Sequence, residues 1–128
     1  MPMNILIVDD SAVMRSMILK SLRMADLDIA EAHQATNGLE GLSLLNEHPI
    51  DVVIADINMP VMNGEEMIQR MKSDDKTKDI PVLVISTEGS ETRKESLKEQ
   101  GVAFIHKPFS PEQIRDTMNA IRDSAGRT

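Results

Sequence analysis

The stretch from Asp51 to Gly64, DVVIADINMPVMNG, joins an apolar run to a polar loop. The apolar run predicts a buried strand at Asp51–Ala55, and it ends in a carboxylate, Asp56. The loop that follows contains Pro60 and Gly64, residue types that favour turns. The stretch therefore places a single acid where a buried strand ends and a loop begins.

Short apolar runs alternate with helical patterns along the rest of the chain. This alternation predicts an α/β fold, with a parallel sheet covered by helices on both faces. The strands are predicted at Asn4–Val8, Asp28–Ala32, Asp51–Ala55, Pro81–Ile85 and Val102–Ile105. The helices are predicted at Ser11–Met24, Thr36–Glu47, Gly64–Lys72 and Glu91–Gln100, with a last helix that begins after the capping box formed by Ser110 and Gln113.

Apolar residues at helical spacing predict which face of each helix is buried. In the first two helices this pattern selects Met14, Met17, Ile18, Ser21, Leu22, Leu39, Leu42 and Leu45. In the later helices it selects Met67, Ile68, Met71, Leu97, Ile114, Thr117, Met118 and Ile121. Most of the ten methionines are interpreted as core residues.

Polar side chains follow four of the five predicted strands. They are Asp9 and Asp10, then Asp56, then Ser86 and Thr87, and finally His106, Lys107 and Pro108. The second strand ends near His33 and adds no obvious chemistry, so we expect it at the outer edge beyond the first strand. Ligands of such sheets bind beyond the carboxyl ends of the strands. The sequence therefore predicts one acidic site with a single ammonium.

Three carboxylates offer only oxygen ligands, which suits Mg²⁺. An aspartate can also accept a phosphoryl group, and the remaining charge then needs a cation and hydrogen-bond donors. Asp9 and Asp10 would hold the metal, and Lys107 and the Ser86 hydroxyl would supply the cation and the donor, so we interpret Asp56 as a nucleophile.

Each residue also has a simpler interpretation when it is taken alone. An Asp after a strand is often a turn former, a Ser or Thr is often a helix cap, and a Lys is often solvated. Asn58 and Glu88 are equally well explained as ordinary loop residues. The histidines, His33, His48 and His106, are far apart in the sequence, and we interpret them as surface or strand-end residues.

Composition limits the class of protein. The 128 residues fit one domain, and a net charge of −7 argues against a nucleic-acid partner. Cysteine is absent, which excludes disulfide and thiol chemistry. No signal peptide or membrane-spanning run is visible, so we expect a cytoplasmic protein without membrane insertion. We expect one domain at 1–124, a short flexible tail at 125–128 and no output domain.

Four blocks of the sequence, VDDS, DINMPVMNG, PVLVISTEG and HKPF, carry a family resemblance. They resemble the signature blocks of response-regulator receiver domains, and the layout is similar to that of CheY-like single-domain regulators. The resemblance implies a flavodoxin-like doubly wound sheet with strand order 2-1-3-4-5 and five helices. It covers nearly the whole chain.

The resemblance also implies a role for individual residues. Asp56 would accept the phosphoryl group, and Asp9, Asp10, Asp56 and the backbone carbonyl of Asn58 would hold Mg²⁺. Ser86 and Lys107 would bind the phosphoryl group. Further roles would be a cis peptide bond at Pro108, a switch formed by Ser86 and Phe104, and an influence of Asn58 and Glu88 on hydrolysis. Phe104 is equally well interpreted as a core residue.

The implied protein is a monomeric, non-enzymatic signalling protein. A sensor histidine kinase or a His-containing phosphotransfer domain would phosphorylate it, and a target would bind the face made by the fourth helix, fifth strand and fifth helix. Chemotaxis signalling is the first expectation, with a phosphorelay intermediate or a phosphate sink as alternatives. A Mg²⁺-dependent aspartyl-phosphate phosphatase is a weaker alternative, because such enzymes often carry Asp-x-Asp and a cap domain. A nucleotide-binding module is disfavoured, since Asp-Asp-Ser replaces a glycine-rich turn after the first strand.

Overall fold

A five-stranded parallel sheet forms the centre of the computed structural model, which describes residues 2–87 and 91–125. With the strands numbered along the chain, their order across the sheet is 2-1-3-4-5, which confirms the predicted flavodoxin-like α/β fold. In chain order the elements are β1 (Met3–Val8), α1 (Ala12–Met24), β2 (Ile29–Ala35), α2 (Gly38–Glu47), β3 (Val52–Ala55), α3 (Gly64–Lys72), β4 (Val82–Ser86), α4 (Glu91–Glu99), β5 (Ala103–His106) and α5 (Pro111–Ala125). Among the described residues, no helix is both long and apolar enough to cross a membrane.

The side chains of the strands divide the core into two layers, because successive residues of a strand point to opposite faces. Leu6 and Val8 belong to the layer that includes residues of α2, α3 and α4, whereas Ile5 and Ile7 belong to the layer that includes residues of α1 and α5. Every residue of β3 and β4 is buried. Burial on both faces explains why these strands are continuous apolar runs.

Strand β2 ends later than the sequence predicted. It continues to Ala35, which pairs with Val8, and the Asp9 N–H donates to the Ala35 carbonyl at 3.1 Å. The sequence predicted an end at Ala32 because His33 and Gln34 are polar, and this prediction was wrong. Such residues are tolerated here because β2 lies at the edge of the sheet. The other boundaries agree within about two residues, which is the usual scatter of such assignments.

Two residues predicted to be buried are exposed. Met17 lies at the rim of the α1 stripe and is 50% exposed, and Leu39 of α2 is 52% exposed. The buried face of α2 contains Gly38 and Gly41 rather than Leu39. A Cβ added at Gly41 would lie 3.1 Å from Val8 Cγ2, so α2 approaches the sheet along its glycines. The leucine spacing alone could not reveal this close approach.

The loop between β3 and α3 is held in a strained turn. Val61 has a φ of 68°, and the Met62 N–H donates to the Pro60 carbonyl at 2.7 Å. A β-branched residue rarely adopts such a backbone. The turn is braced from outside, since the Gly38 N–H donates to the Met62 carbonyl at 2.9 Å. The loop that follows Asp56 is therefore tied to the start of α2.

Gly64 is the point where this loop returns to β3. Its N–H donates to the Ile57 carbonyl at 2.8 Å, and an added Cβ would lie 2.1 Å from the Asp56 carbonyl oxygen. No side chain fits there without a shift of the backbone that carries Asp56. Glycine at this position thus fixes the distance between α3 and the end of β3.

We predict that Gly64→Ala lowers the free energy of unfolding by about 1–3 kcal/mol, the usual cost of overpacking. Replacing glycine by alanine within a helix ordinarily stabilises by about 1 kcal/mol, so the predicted sign is reversed. Urea denaturation followed by circular dichroism measures the difference. Ser43→Ala, an exposed substitution in α2, is the control for helix propensity. Equal or greater stability of Gly64→Ala would contradict the close contact.

Candidate functional site

The carboxyl ends of β1, β3 and β5 bring three carboxylates and one ammonium together. Asp9, Asp10 and Asp56 each offer a carboxylate oxygen, and these oxygens lie within 4.8 Å of one another. Lys107 Nζ lies 3.3 Å from Asp9 Oδ2 and 3.3 Å from Asp56 Oδ2. Residues separated by up to 98 positions in the chain thus form one cluster.

Strand pairing explains this convergence. Val8 of β1 lies beside Ala55 of β3, so the next residues of both strands, Asp9 and Asp56, leave the sheet together. The Asp56 N–H donates to the Val8 carbonyl at 3.0 Å and extends the pairing by one residue. On the other side, the Lys107 N–H donates to the Ser86 carbonyl at 2.9 Å. Backbone hydrogen bonds therefore place the acids and the lysine at one edge.

The three acids differ in burial. Asp9 is 1% exposed, Asp56 is partly buried, and Asp10 is exposed. Burial raises the pKa of Asp9, because desolvation disfavours its charged form. A hydrogen bond from the Ser11 N–H and the charge of Lys107 oppose this rise, whereas the carboxylate of Asp56 adds to it. A further positive charge beside Asp9 would stabilise its charged form.

The carboxylate of Asp56 is held at both oxygens. Its Oδ1 accepts a hydrogen bond from the Ile57 N–H at 2.7 Å, and its Oδ2 faces the ammonium of Lys107. Its side chain is 12% exposed, so the group stands at the mouth of the cluster rather than beneath it. The carboxylate of Asp56 therefore lies close to one ammonium and to two other carboxylates.

The cluster fits a hard divalent cation by its donor set. Three carboxylates face one ammonium, which leaves an excess of negative charge, and every donor is an oxygen. Mg²⁺ prefers such ligands and keeps several waters. Among the side chains that the structure describes, this is the only set of three or more acidic or histidine residues with such spacing. The site can therefore hold a divalent cation.

The other candidate residues that the structure describes lie at or just after the ends of β3, β4 and β5. Ser86 is buried at the end of β4 and pairs in register with His106, which is exposed. Asn58 is exposed in the loop after Asp56. The peptide bond between Lys107 and Pro108 is cis, as the resemblance implied. Glu88 lies outside the described residues.

Phe104 lies in β5, on the side of the sheet that α4 covers. It is partly buried against the core layer that includes residues of α2, α3 and α4. Lys94 Nζ lies 5.5 Å from the centroid of its ring. Arg93 of α4 forms an ion pair with Glu65 of α3 at 2.5 Å. Apart from Leu97, which is 2% exposed, α4 consists largely of polar and charged residues. Polar contacts with α3 and β5 therefore help to hold α4 in place.

Two of the three histidines interact, which the sequence interpretation missed. His33 of β2 and His48 at the end of α2 stack with ring centroids 4.2 Å apart. The interpretation of His33 as a surface or strand-end residue was wrong, since it lies within β2 and is 19% exposed. Their wide separation in the sequence hid the contact, which the packing of α2 on the sheet creates.

Arg15 is the residue beside the cluster that sequence reasoning missed. Its Nη1 donates to the Asp9 carbonyl at 2.6 Å, and its Nε donates to Gln34 Oε1 at 3.0 Å. The sequence offered one signal for it. Arg15 is a basic residue one turn into the helix that follows the acid pair Asp9-Asp10. Its partners could not be deduced, because Gln34 lies on a different strand.

The fold and the acidic cluster at the strand ends agree with the receiver class of signalling domain. The chain belongs to the response regulator receiver domain family, whose profile matches residues 5–119. It therefore takes part in two-component signalling.

Individual relatives are similar over most of their length. A chemotaxis protein CheY homolog of Campylobacter jejuni is 34% identical over 122 residues, covering 93% of this chain and 92% of the relative. The structure of Vibrio cholerae CheY4 superposes with a TM-score of 0.82 at 33% identity, covering 94% of this chain and 99% of that one. The two-component response regulator ORR6 of rice is 35% identical and covers 94% of this chain, which in turn covers 71% of that protein. Sequence identity to these relatives therefore does not distinguish a role in chemotaxis from other roles in two-component signalling.

We predict that Mg²⁺ raises the melting temperature of the protein, because the carboxylates are gathered only in the folded state. Stabilisation reaches about 2.7 kcal/mol when free Mg²⁺ is about a hundred times its dissociation constant. Thermal unfolding followed by circular dichroism, with MgCl₂ against EDTA, measures the shift.

The matched variants for this measurement are Asp10→Asn and Asp26→Asn. Asp10→Asn removes a proposed ligand and is expected to reduce the shift. Asp26→Asn removes the same charge after α1, far from the cluster, and keeps a residue that tolerates its φ of 57°. An equal shift in both variants would contradict a site at the cluster.

Proposed function

We propose that the protein is a single-domain response regulator that accepts a phosphoryl group on Asp56. The observation that carries this proposal is the position of the Lys107 ammonium, 3.3 Å from both Asp9 Oδ2 and Asp56 Oδ2, beside the carboxylate of Asp10. The donor would be a phosphohistidine of a sensor histidine kinase or of a His-containing phosphotransfer domain. The acceptor domain would span residues 1–124.

The reaction is a phosphoryl transfer from nitrogen to oxygen. An oxygen of Asp56 forms a bond to phosphorus while the bond between phosphorus and the imidazole nitrogen breaks, and the electron pair of that bond returns to the ring. The Ile57 N–H holds Oδ1 and so limits rotation of the carboxylate. Transfer of this kind depends mainly on positioning and on charge stabilisation.

The acidic residues would supply the cation site for this step. Asp9, Asp10, Asp56 and the carbonyl of Asn58 would hold Mg²⁺, which supplies positive charge for the phosphoryl oxygens. Asp9 is fixed for this role by its buried position and by the hydrogen bond from Ser11. Before transfer, Lys107 offsets part of the negative charge of these carboxylates.

After transfer, Lys107 and Ser86 would bind the phosphoryl oxygens. Lys107 already contacts the acceptor carboxylate, and a phosphoryl group adds about −1.5 to −2 charge that attracts the ammonium. Ser86 is buried at the end of β4, which pairs with β5, and Lys107 directly follows β5. A movement of Ser86 or Lys107 toward the phosphoryl group would displace the segments that follow β4 and β5.

We infer that the target binds the face formed by α4, β5 and α5. On this face Lys94 Nζ of α4 lies over the ring of Phe104, and Arg93 of α4 forms an ion pair with Glu65 of α3. Phosphorylation would shift the population of two arrangements of this face, with Phe104 as a switch residue.

Chemotaxis signalling in a monomeric form is the role that we propose first, because the Campylobacter and Vibrio relatives carry that name. A phosphorelay intermediate or a phosphate sink is the second candidate, favoured by an equally high identity to a plant two-component regulator. Transfer of the phosphoryl group onward to a His-containing transfer domain would favour a relay, and binding to a flagellar switch protein would favour chemotaxis. Turnover of a small phosphoester would instead favour a phosphatase.

We predict that incubation with acetyl phosphate and Mg²⁺ adds one phosphoryl group to the protein. The gain should disappear in Asp56→Asn and with EDTA, because the first removes the acceptor and the second removes the cation. Intact-mass spectrometry measures it, and circular dichroism confirms that the variant is folded. A folded wild-type protein that gains no mass would contradict the proposal.

We predict that the phosphorylated form is short-lived, because Asn58 and Glu88 would orient an attacking water beside the acyl phosphate. Replacing both by alanine should lengthen its half-life several-fold. Decay of the phosphorylated mass after removal of the donor measures the half-life. The double variant Asn46→Ala with Glu47→Ala changes the same residue types at the far end of α2 and is the control. An unchanged half-life after replacement of Asn58 and Glu88 would exclude this role.

A further inference from the structure

Arg15 joins the three segments that surround the start of the acidic cluster. It lies on α1, and its guanidinium reaches the carbonyl of Asp9 at the end of β1 and the side chain of Gln34 on β2. Both distances are short, at 2.6 and 3.0 Å. The planar fork of a guanidinium suits such a double contact, which a lysine cannot reproduce.

The consequence of these contacts is that the backbone of Asp9 is held on both sides. Its N–H donates to the Ala35 carbonyl at 3.1 Å, and its carbonyl accepts from Arg15. The carbonyl of Asp9 and the N–H of Asp10 belong to one planar peptide unit. Fixing the first therefore fixes the direction in which the chain enters Asp10.

The side chain of Asp9 is also fixed, by the Ser11 N–H and by Lys107. Asp10 differs from Asp9, since its carboxylate belongs to the cluster but is exposed to solvent. Its position depends on the turn between β1 and α1. Arg15 is the side chain that ties this turn to the edge of the sheet.

We propose that Arg15 is a positioning residue for the cation site, which holds the Asp9–Asp10 turn so that both carboxylates face one ion. This inference rests on the proposed function, in which the cluster binds Mg²⁺. Residues that orient metal ligands commonly change metal affinity by about 10–100-fold when they are replaced.

Charge and geometry predict opposite results at this position. A guanidinium beside a cation site repels the cation, so on Coulomb grounds alone its removal strengthens Mg²⁺ binding. If Arg15 acts by positioning, its removal weakens binding although a positive charge has been lost. The direction of the change therefore separates the two effects.

The experiment is isothermal titration calorimetry of the folded protein with MgCl₂, without a phosphodonor. The variants are Arg15→Gln, which loses charge and contacts, Arg15→Lys, which keeps only the charge, and Gln34→Ala, which removes only the outer anchor. Arg23→Gln is the control, since it removes the same charge from α1 about 12 Å further along the helix. Thermal unfolding establishes that each variant is folded at the titration temperature.

We expect Arg15→Gln to weaken Mg²⁺ binding by about tenfold. Arg15→Lys should weaken it similarly, Gln34→Ala less, and Arg23→Gln should not weaken it. In the metal-free state, the amide resonances of Asp10 and Ser11 should shift in Arg15→Gln and stay in place in Arg23→Gln. A role in stability alone would not weaken binding in a folded variant.

Equal or tighter binding by folded Arg15→Gln would overturn the inference and assign Arg15 a purely electrostatic effect. If Arg15→Gln does not fold, unchanged binding by Arg15→Lys and Gln34→Ala would overturn it equally. Wild-type protein that binds no Mg²⁺ would overturn the proposed cation site itself, and the inference with it. The wild-type titration thus distinguishes failure of the proposed function from failure of the role of Arg15.

Discussion

The ammonium of Lys107 stands 3.3 Å from a carboxylate oxygen of Asp9 and 3.3 Å from one of Asp56, and the arrangement of the site depends on this contact. Asp9 is buried, and the carboxylates of Asp56 and Asp10 lie close by. Like charges at this distance repel strongly where the dielectric constant is low. The lysine offsets part of that repulsion, yet it leaves an excess of negative charge that favours a divalent cation. The same ammonium is in place to meet a phosphoryl group on Asp56.

This cluster requires a framework that resists its repulsion. The sheet supplies it through backbone pairing of β1 with β3, of β4 with β5, and through the hydrogen bond from Lys107 to the Ser86 carbonyl. On the other side of Asp56, the loop is packed against Gly64 and bent at Val61, whose left-handed backbone is strained. Residues in such conformations persist when the surrounding structure fixes them, and they are common at functional sites.

Much of the fold and of the site was predictable from the sequence, because the parallel sheet turns strand ends into neighbours. Apolar runs of Val and Ile located the strands, and the residues after them located Asp9, Asp56 and Lys107. What was missed depends on contacts between distant segments. The glycine face of α2 displaced Leu39 from the core, and His33 met His48 through packing of α2 on β2. The bond from Arg15 to Gln34 joins a helix to an edge strand, and no local pattern encodes it.

The central claim is that Asp56, among three neighbouring carboxylates, is the one that receives the phosphoryl group. The most direct measurement is to treat the wild-type protein with acetyl phosphate and Mg²⁺, to reduce the acyl phosphate with borohydride, and to locate the resulting homoserine by tandem mass spectrometry. The account predicts homoserine at Asp56, with Asp9 and Asp10 unmodified. Homoserine at Asp9 or Asp10 instead would contradict the assignment of metal ligands and acceptor.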